Sequence, residues 1–199
     1  MPEPQRLPLP DASLLLYSGL SLGNEETVMR RLIDGIHWRQ EYITLFGKTH
    51  KQPRLVAWYG DRNAVYTYSG KAYTPRPWTE ELLRLRDLVE VAAASRFNSV
   101  LLNYYRDGRD AMGLHADDEP ELGPEPVIAS LSLGATRKLY FQHRFRRDLD
   151  TVTLPLQSGS LLVMGGQTQR YWKHGLRKTS RACEPRINLT FRCVFPESS

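Results

Sequence analysis

From Phe97 onward the chain is cut into short β-type runs, "SVLLNYY", "VIASLSLG", "KLYFQH", "TVTLPL", "SLLVMG" and "RINLTFRCVF", separated by Gly, Pro and Asp. Runs this short and this regularly spaced predict an all-β sandwich or barrel rather than a parallel sheet with crossover helices. Helices are expected only ahead of them. Asn24 caps one, in which Met29, Leu32, Ile33 and Ile36 recur at spacings of three and four. Thr79 caps a second, with Glu80 and Glu81 in its first turn and Leu82, Leu85, Val89 and Ala92 on one stripe. Between them, "RLVAWYGDRNAVYTYSG" predicts aromatic-rich strands joined by a turn at Gly60 and Asp61. The expected fold class is therefore mainly β with flanking α-helices. At 199 residues and 41% hydrophobic, the chain suffices for one cored domain.

The final strand holds a physical problem. In "RINLTFR" a period of two puts Arg186, Asn188, Thr190 and Arg192 on one face and Ile187, Leu189 and Phe191 on the other. Either the polar face meets water, or it lines a cavity that holds an anion, for which two arginine forks are well suited. The strand "SVLLNYYRDG" poses the same choice, because Asn103 and Tyr105 share a face.

A third polar concentration is "GLHADDE", where His115 and Asp117 lie two apart, so that on an extended segment an imidazole nitrogen and a carboxylate oxygen reach one ion. A third ligand is open to His37, His50, His143 or His174, and the position of His174 between a β-type run and the double-arginine strand favours it. Two histidines and a carboxylate form the facial triad of non-haem Fe(II) oxygenases, which leaves metal positions open for co-substrate and O2.

Charge and cysteine content add little. A formal net charge of +5 eases approach to polyanions without requiring it. Cys183 and Cys193 alone make neither a zinc site nor a disulfide framework, which points to a reducing compartment. No apolar run is long enough to span a bilayer, and "MPEPQRLPLPD" lacks the features of a secretion signal. The expected protein is a monomer away from membranes, cytoplasmic in a bacterium or nuclear in a eukaryote.

Taken together and in order, "FGK", "YGD" followed by "YTYSG", "NYYRDG", "HADDE", "IASLSLGATR", "GSLLVM", "WKHGL" and "PRINLTFR" resemble the AlkB family of iron(II)- and 2-oxoglutarate-dependent nucleic-acid dealkylases, from about Leu45 to Val194. The "FGK" and "YTYS" elements resemble its members that act on duplex DNA. The resemblance implies a double-stranded β-helix, a jelly roll, as a single dioxygenase domain: N-terminal helices and a nucleotide-recognition lid to about residue 96, then a catalytic core to about 195. It places Fe(II) on His115, Asp117 and His174, and 2-oxoglutarate on Asn103, Tyr105, Arg186, Asn188, Thr190 and Arg192. Arg186 would pair with the distal carboxylate, with Arg192 nearer the chelating end.

Substrate contacts fall by resemblance on Phe46, Gly47, Lys48, Tyr66, Thr67, Tyr68 and Asp118. The implied reaction is oxidative demethylation of bases such as 1-methyladenine and 3-methylcytosine in DNA, consuming O2 and releasing formaldehyde, succinate and CO2. Both bases are cationic, so Asp118 and Glu119 would favour them over neutral bases. The damaged nucleotide must leave the stack. Tyr66 or Tyr68 would wall its pocket, and Phe46, flanked by Gly47, Lys48 and Lys51, would wedge into the gap. "HRFRR", "RYWKHGLRK" and Arg54 are candidates for phosphate contacts. Two other readings stand beside this one: a module that binds modified nucleic acid without turnover, and a same-fold oxygenase acting on RNA, protein or a small molecule.

Overall fold

In chain order the elements are β1 (Gln5–Leu7), β2 (Ser13–Tyr17), α1 (Glu25–Gly35), β3 (Tyr42–Leu45), β4 (Lys48–Lys51), β5 (Leu55–Gly60), β6 (Tyr66–Tyr68), β7 (Lys71–Tyr73) and α2 (Glu80–Ala93). They continue through β8 (Ser99–Tyr105), β9 (Met112–His115), β10 (Ile128–Gly134), β11 (Arg137–His143), β12 (Val152–Leu156), β13 (Leu161–Gly165), α3 (Thr168–Tyr171), β14 (Trp172–Leu176) and β15 (Arg186–Arg192). The computed structural model describes residues 2–45, 47–68 and 71–195.

Both long helices begin at the expected caps. Asn24 Oδ1 accepts from the Thr27 N–H at 2.8 Å, and Thr79 Oγ1 from the Leu82 N–H at 3.3 Å, each answering an N–H that the first helical turn leaves unpaired. The α2 stripe is buried as expected. In α1 the buried pair is Val28 and Leu32, while Met29 and Ile33 are only partly covered and Ile36 is buried just past the helix end.

Eleven strands form two antiparallel sheets, a major one in the order β1-β2-β13-β10-β15-β8-β5 and a minor one in the order β12-β11-β14-β9. The helices cover the outer face of the major sheet. Val28, Leu32, Leu82, Leu85 and Val89 pack there with Val100, Leu102, Leu131, Leu133, Ile187, Leu189 and Phe191. A second apolar cluster lies between the sheets, where Leu14, Ile128, Leu162 and Met164 meet Leu139, Phe141, Leu156 and Trp172. Fully burying such side chains contributes roughly 1.5–3 kcal/mol each, so the two clusters hold the three layers together.

Long-range pairing organises the first half of the chain. The expected turn follows Gly60, where the Ala64 N–H donates to the Asp61 carbonyl at 3.0 Å, but the strands it joins do not pair with each other: β5 pairs with β8, and β6 pairs with β7. Gly60 ends β5 so close to its neighbour that an added Cβ would lie 2.6 Å from the Asn98 carbonyl. β1, β2 and β5, all ahead of residue 97, complete the major sheet. Among the described residues no helix is long and apolar enough to cross a membrane.

Candidate active site

The polar face of β15 points inward. Arg186 is 3% exposed, and Asn188 and Thr190 are buried with it, so the water-facing alternative is excluded. Register explains how so much polarity is tolerated. Across β15, Arg186 lies opposite Tyr105 and Asn188 opposite Asn103 on β8, while Asn188 and Thr190 lie opposite Ser132 and Ser130 on β10. Side chains on paired positions share a face, so three adjacent strands present one polar strip. Arg186 Nη2 donates to Ser132 Oγ at 2.9 Å, Asn188 Nδ2 to Ser130 Oγ at 2.7 Å, and Thr190 Oγ1 to Asn188 Oδ1 at 3.1 Å. The Arg186 guanidinium also stands 5.4 Å from the centre of the Tyr105 ring. Burial pushes its pKa down to about 10, against the opposing pull of Tyr105.

At the other end of this cavity sit His115, Asp117 and His174. β14 pairs with β9 so that His174 lies opposite His115, their ring centres 4.3 Å apart. Gly175 lets the strands close there, since an added Cβ would come within 3.0 Å of the Gly113 and Met112 carbonyls. One ligand atom from each of the three residues lies within 4.8 Å of the other two. His143, an alternative third ligand, instead faces Asp11 Oδ2 at 3.3 Å.

The trio is incomplete as a hydrogen-bonded cluster. Asp117 Oδ2 and His174 Nδ1 are buried without a hydrogen-bond partner, Oδ2 having only His174 Nε2 at 3.7 Å, a costly state for polar atoms. His115 Nδ1 is 3.0 Å from the Gly113 carbonyl, which therefore takes its proton and leaves Nε2 as a lone-pair donor. Burial pushes His174 down to about 3, reinforced by His115 and opposed by Asp117; His115 is lowered too, again mainly by burial. Both rings are thus neutral, as metal ligands must be. Asp117 moves down as well: burial alone would raise it, but Arg192, His174 and His115 together outweigh that. Two neutral imidazoles and one carboxylate, with buried atoms lacking partners, fit iron(II).

Arg192 joins the two ends. Its Nη2 bonds to Asp117 Oδ1, while its Nε, like that of Arg186, is buried without an acceptor. Unanswered cationic donors at both ends of one cavity suit a dicarboxylate. Tyr105 donates only to the Met112 sulfur, at 3.9 Å, a weak partner.

The substrate residues are dispersed. Gly47 has φ +74 between paired Leu45 and Lys48, a left-handed position that favours glycine, and Lys48 is exposed. Tyr66, Thr67 and Tyr68 form β6, but their side chains, like Phe46, lie outside the described residues. Asp118 is exposed and ion-paired with Arg144 at 2.7 Å. Glu119 is half-buried, its Oε2 without a partner; burial raises its pKa, and the Arg192 charge opposes. Arg54 differs from expectation, since its Nε donates to Asn103 Oδ1 at 2.7 Å instead of facing solvent. Asn103 cannot be exposed to an anion without Arg54 at its side.

Sequence reasoning missed Gln169 on α3. It is 2% exposed, accepts the Asp117 N–H on Oε1 at 3.0 Å, and donates through Nε2 to the Met164 sulfur at 3.7 Å. Arg144 adds a bond to the Gln169 carbonyl at 3.2 Å. The one available signal was proximity in sequence to His174.

The profile of the 2OG-Fe(II) oxygenase superfamily matches residues 14–192. The mouse DNA oxidative demethylase ALKBH2 is 46% identical over 160 residues, covering 77% of this chain and 67% of that protein. The mouse alpha-ketoglutarate-dependent dioxygenase alkB homolog 3 is 39% identical over 191 residues, covering 92% and 66%. The chain thus spans about two thirds of the length of these relatives. The solved structure of OsALKBH1 superposes with a TM-score of 0.66 at 19% identity, over 96% of this chain and 99% of that one, a likeness of fold alone. With the jelly roll, the ligand trio and the arginine-floored cavity in place, these matches show that the chain belongs to the 2OG-Fe(II) oxygenase superfamily and, within it, to the AlkB family.

Proposed function

We propose that the protein is a DNA oxidative demethylase that restores N-alkylated bases such as 1-methyladenine and 3-methylcytosine, using Fe(II), 2-oxoglutarate and O2. The observation that carries the chemistry is the buried His115–Asp117–His174 trio sharing one cavity with the under-bonded Arg186. The DNA substrate is supported by the likeness to ALKBH2 and alkB homolog 3, two of the relatives above.

His115, Asp117 and His174 would hold the iron, with Arg192 steadying one carboxylate oxygen and Gly113 fixing one imidazole. Iron of this kind supplies the oxidising power, coupled to conversion of 2-oxoglutarate to succinate and CO2. Arg186 pairs with the far carboxylate of the co-substrate, and Tyr105, Asn188 and Thr190 complete its wall. Ile128, Leu139 and Phe141 pack around the inter-sheet space and keep water from it. The methyl group leaves as formaldehyde once it is hydroxylated, since the resulting hemiaminal is unstable.

The target nitrogen is inaccessible inside a duplex, so the nucleotide flips out. Phe46 fills the gap, Tyr66 or Tyr68 stacks on the base, Lys48 and Lys51 meet phosphates, and Asp118 and Glu119 favour a cationic base. The protein works as a monomer, cytoplasmic in a bacterium or nuclear in a eukaryote. Incubation with Fe(II), 2-oxoglutarate and oligonucleotides bearing one defined lesion should release formaldehyde and succinate and lower the oligonucleotide mass by one methylene. Binding without succinate formation would refute the assignment, as would turnover indifferent to methylated DNA.

A further inference from the structure

Beside the metal centre the loop from β11 to β12 carries an exposed ring. Phe145 is 63% exposed, yet its position is built. The Phe145 and Arg146 N–H groups both donate to Nδ1 of buried His143, at 3.2 and 2.9 Å, and the Arg144 N–H donates to the Tyr171 carbonyl at 2.7 Å. Phe145 meets Tyr171 edge-on with ring centres 6.0 Å apart, and Tyr171 stacks on His143 at 5.8 Å. Arg144 lies 5.8 Å from the Phe145 ring centre and Arg170 lies 5.4 Å from that of Tyr171.

The corner is also at the rim of the site. Arg144 bonds both Asp118, which follows the ligand Asp117, and the carbonyl of Gln169, whose side chain holds the Asp117 backbone. Arg144 and Arg146 are matched by Asp118 and Asp148, whereas Arg147 and Arg170 have no carboxylate partner among the described residues. A water-facing ring held in place against a half-buried one, and interleaved with surplus arginines, offers unpaired bases a stacking face and phosphates a counter-charge. A duplex, with its base faces covered, can use only the charges.

We infer that the Phe145–Tyr171 corner is a stacking subsite for an unpaired base of the nucleic-acid strand entering the active site, with Arg147 and Arg170 on its phosphates. The inference rests on the reading of the protein as a nucleic-acid dealkylase. Its test is independent of turnover: fluorescence anisotropy of the full-length protein with a labelled, unmodified deoxyoligonucleotide, single-stranded and as a blunt duplex. Phe145→Ala and Phe145→Leu should each weaken single-strand binding about ten-fold, and Phe145→Trp should retain it. The Arg147→Ala/Arg170→Ala double variant should flatten the salt dependence by about one to two in logarithmic slope.

Melting temperatures of the Phe145 variants should match wild type, because the ring is mostly in water. Wild-type single-strand affinity in Phe145→Ala or Phe145→Leu, equal losses on the duplex, or no single-strand binding by wild type would each overturn the subsite. Failure of wild type to release formaldehyde from a lesion-bearing strand would instead overturn the dealkylase reading.

Discussion

The two faces of the major sheet do opposite work. Toward the helices, Ile187, Leu189 and Phe191 sit in a buried apolar cluster in which the hydroxyls of Tyr17 and Tyr59 have partners. Toward the minor sheet, Arg186, Asn188 and Thr190 are buried almost as deeply, and Arg186 Nε, Arg192 Nε, His174 Nδ1 and Asp117 Oδ2 are left without a hydrogen-bond partner. Apolar burial stabilises; a buried cation costs several kcal/mol unless a partner repays it. One strand therefore carries stability on its odd residues and function on its even ones, and the second set is tolerated because the first outweighs it.

The sharpest separation of the two faces comes from the ligands. His174→Ala and Asp117→Ala should each abolish demethylation while the protein still folds, since each removes one of three metal donors and leaves the helix-side cluster intact. Turnover like wild type in both would remove the iron assignment; circular dichroism and melting establish that the fold is retained.

Arg186→Met comes next. Losing the buried Arg186 guanidinium at the far end of the cavity leaves a co-substrate carboxylate unpaired, an effect of about 3–5 kcal/mol, or roughly 10²–10⁴ in 2-oxoglutarate affinity. Stability of the ligand-free protein should be unchanged or higher, because a desolvated cation is replaced by an apolar chain of similar volume. A marked fall in melting temperature with unchanged co-substrate affinity would reassign Arg186 to structure. Leu189→Ala, three positions along the same strand, should show the converse: a loss of about 2–5 kcal/mol of stability from the cavity it leaves, with 2-oxoglutarate affinity kept in the folded fraction.

How far all this could be read in advance follows from the same strand. A period of two was visible in "RINLTFR", and the residue sets on its faces are those found. Which face turns inward was not visible, because an amphipathic strand is equally consistent with a wet outer face; only the arginine pair and its companions in the other motifs pointed inward. The grouping of His115 with Asp117 was legible because both lie within three residues. Arg54 was not, since its contact with Asn103 spans 49 residues, and neither end carries a local signature of the other. Long-range pairing likewise decides that β5 joins β8, which the turn after Gly60 does not reveal.

Gln169 gives the smallest effect and the finest test, because it belongs to neither face and touches no metal position directly. Its Oε1 takes the N–H of a ligand residue whose loop follows the end of β9, so the bond sets where that carboxylate starts rather than what it is. Gln169→Leu keeps the volume and removes the acceptor, leaving a buried N–H unsatisfied at a cost of about 1–3 kcal/mol in stability. The larger consequence should be on the metal: supporting bonds of this kind are worth roughly 10–100-fold in affinity. Calorimetric titration with Mn(II), a redox-stable stand-in for iron, reads that quantity without turnover. Affinity equal to wild type would mean that Arg192 on Asp117 and Arg144 on Asp118 suffice to fix the loop, and that Gln169 merely fills space beneath it.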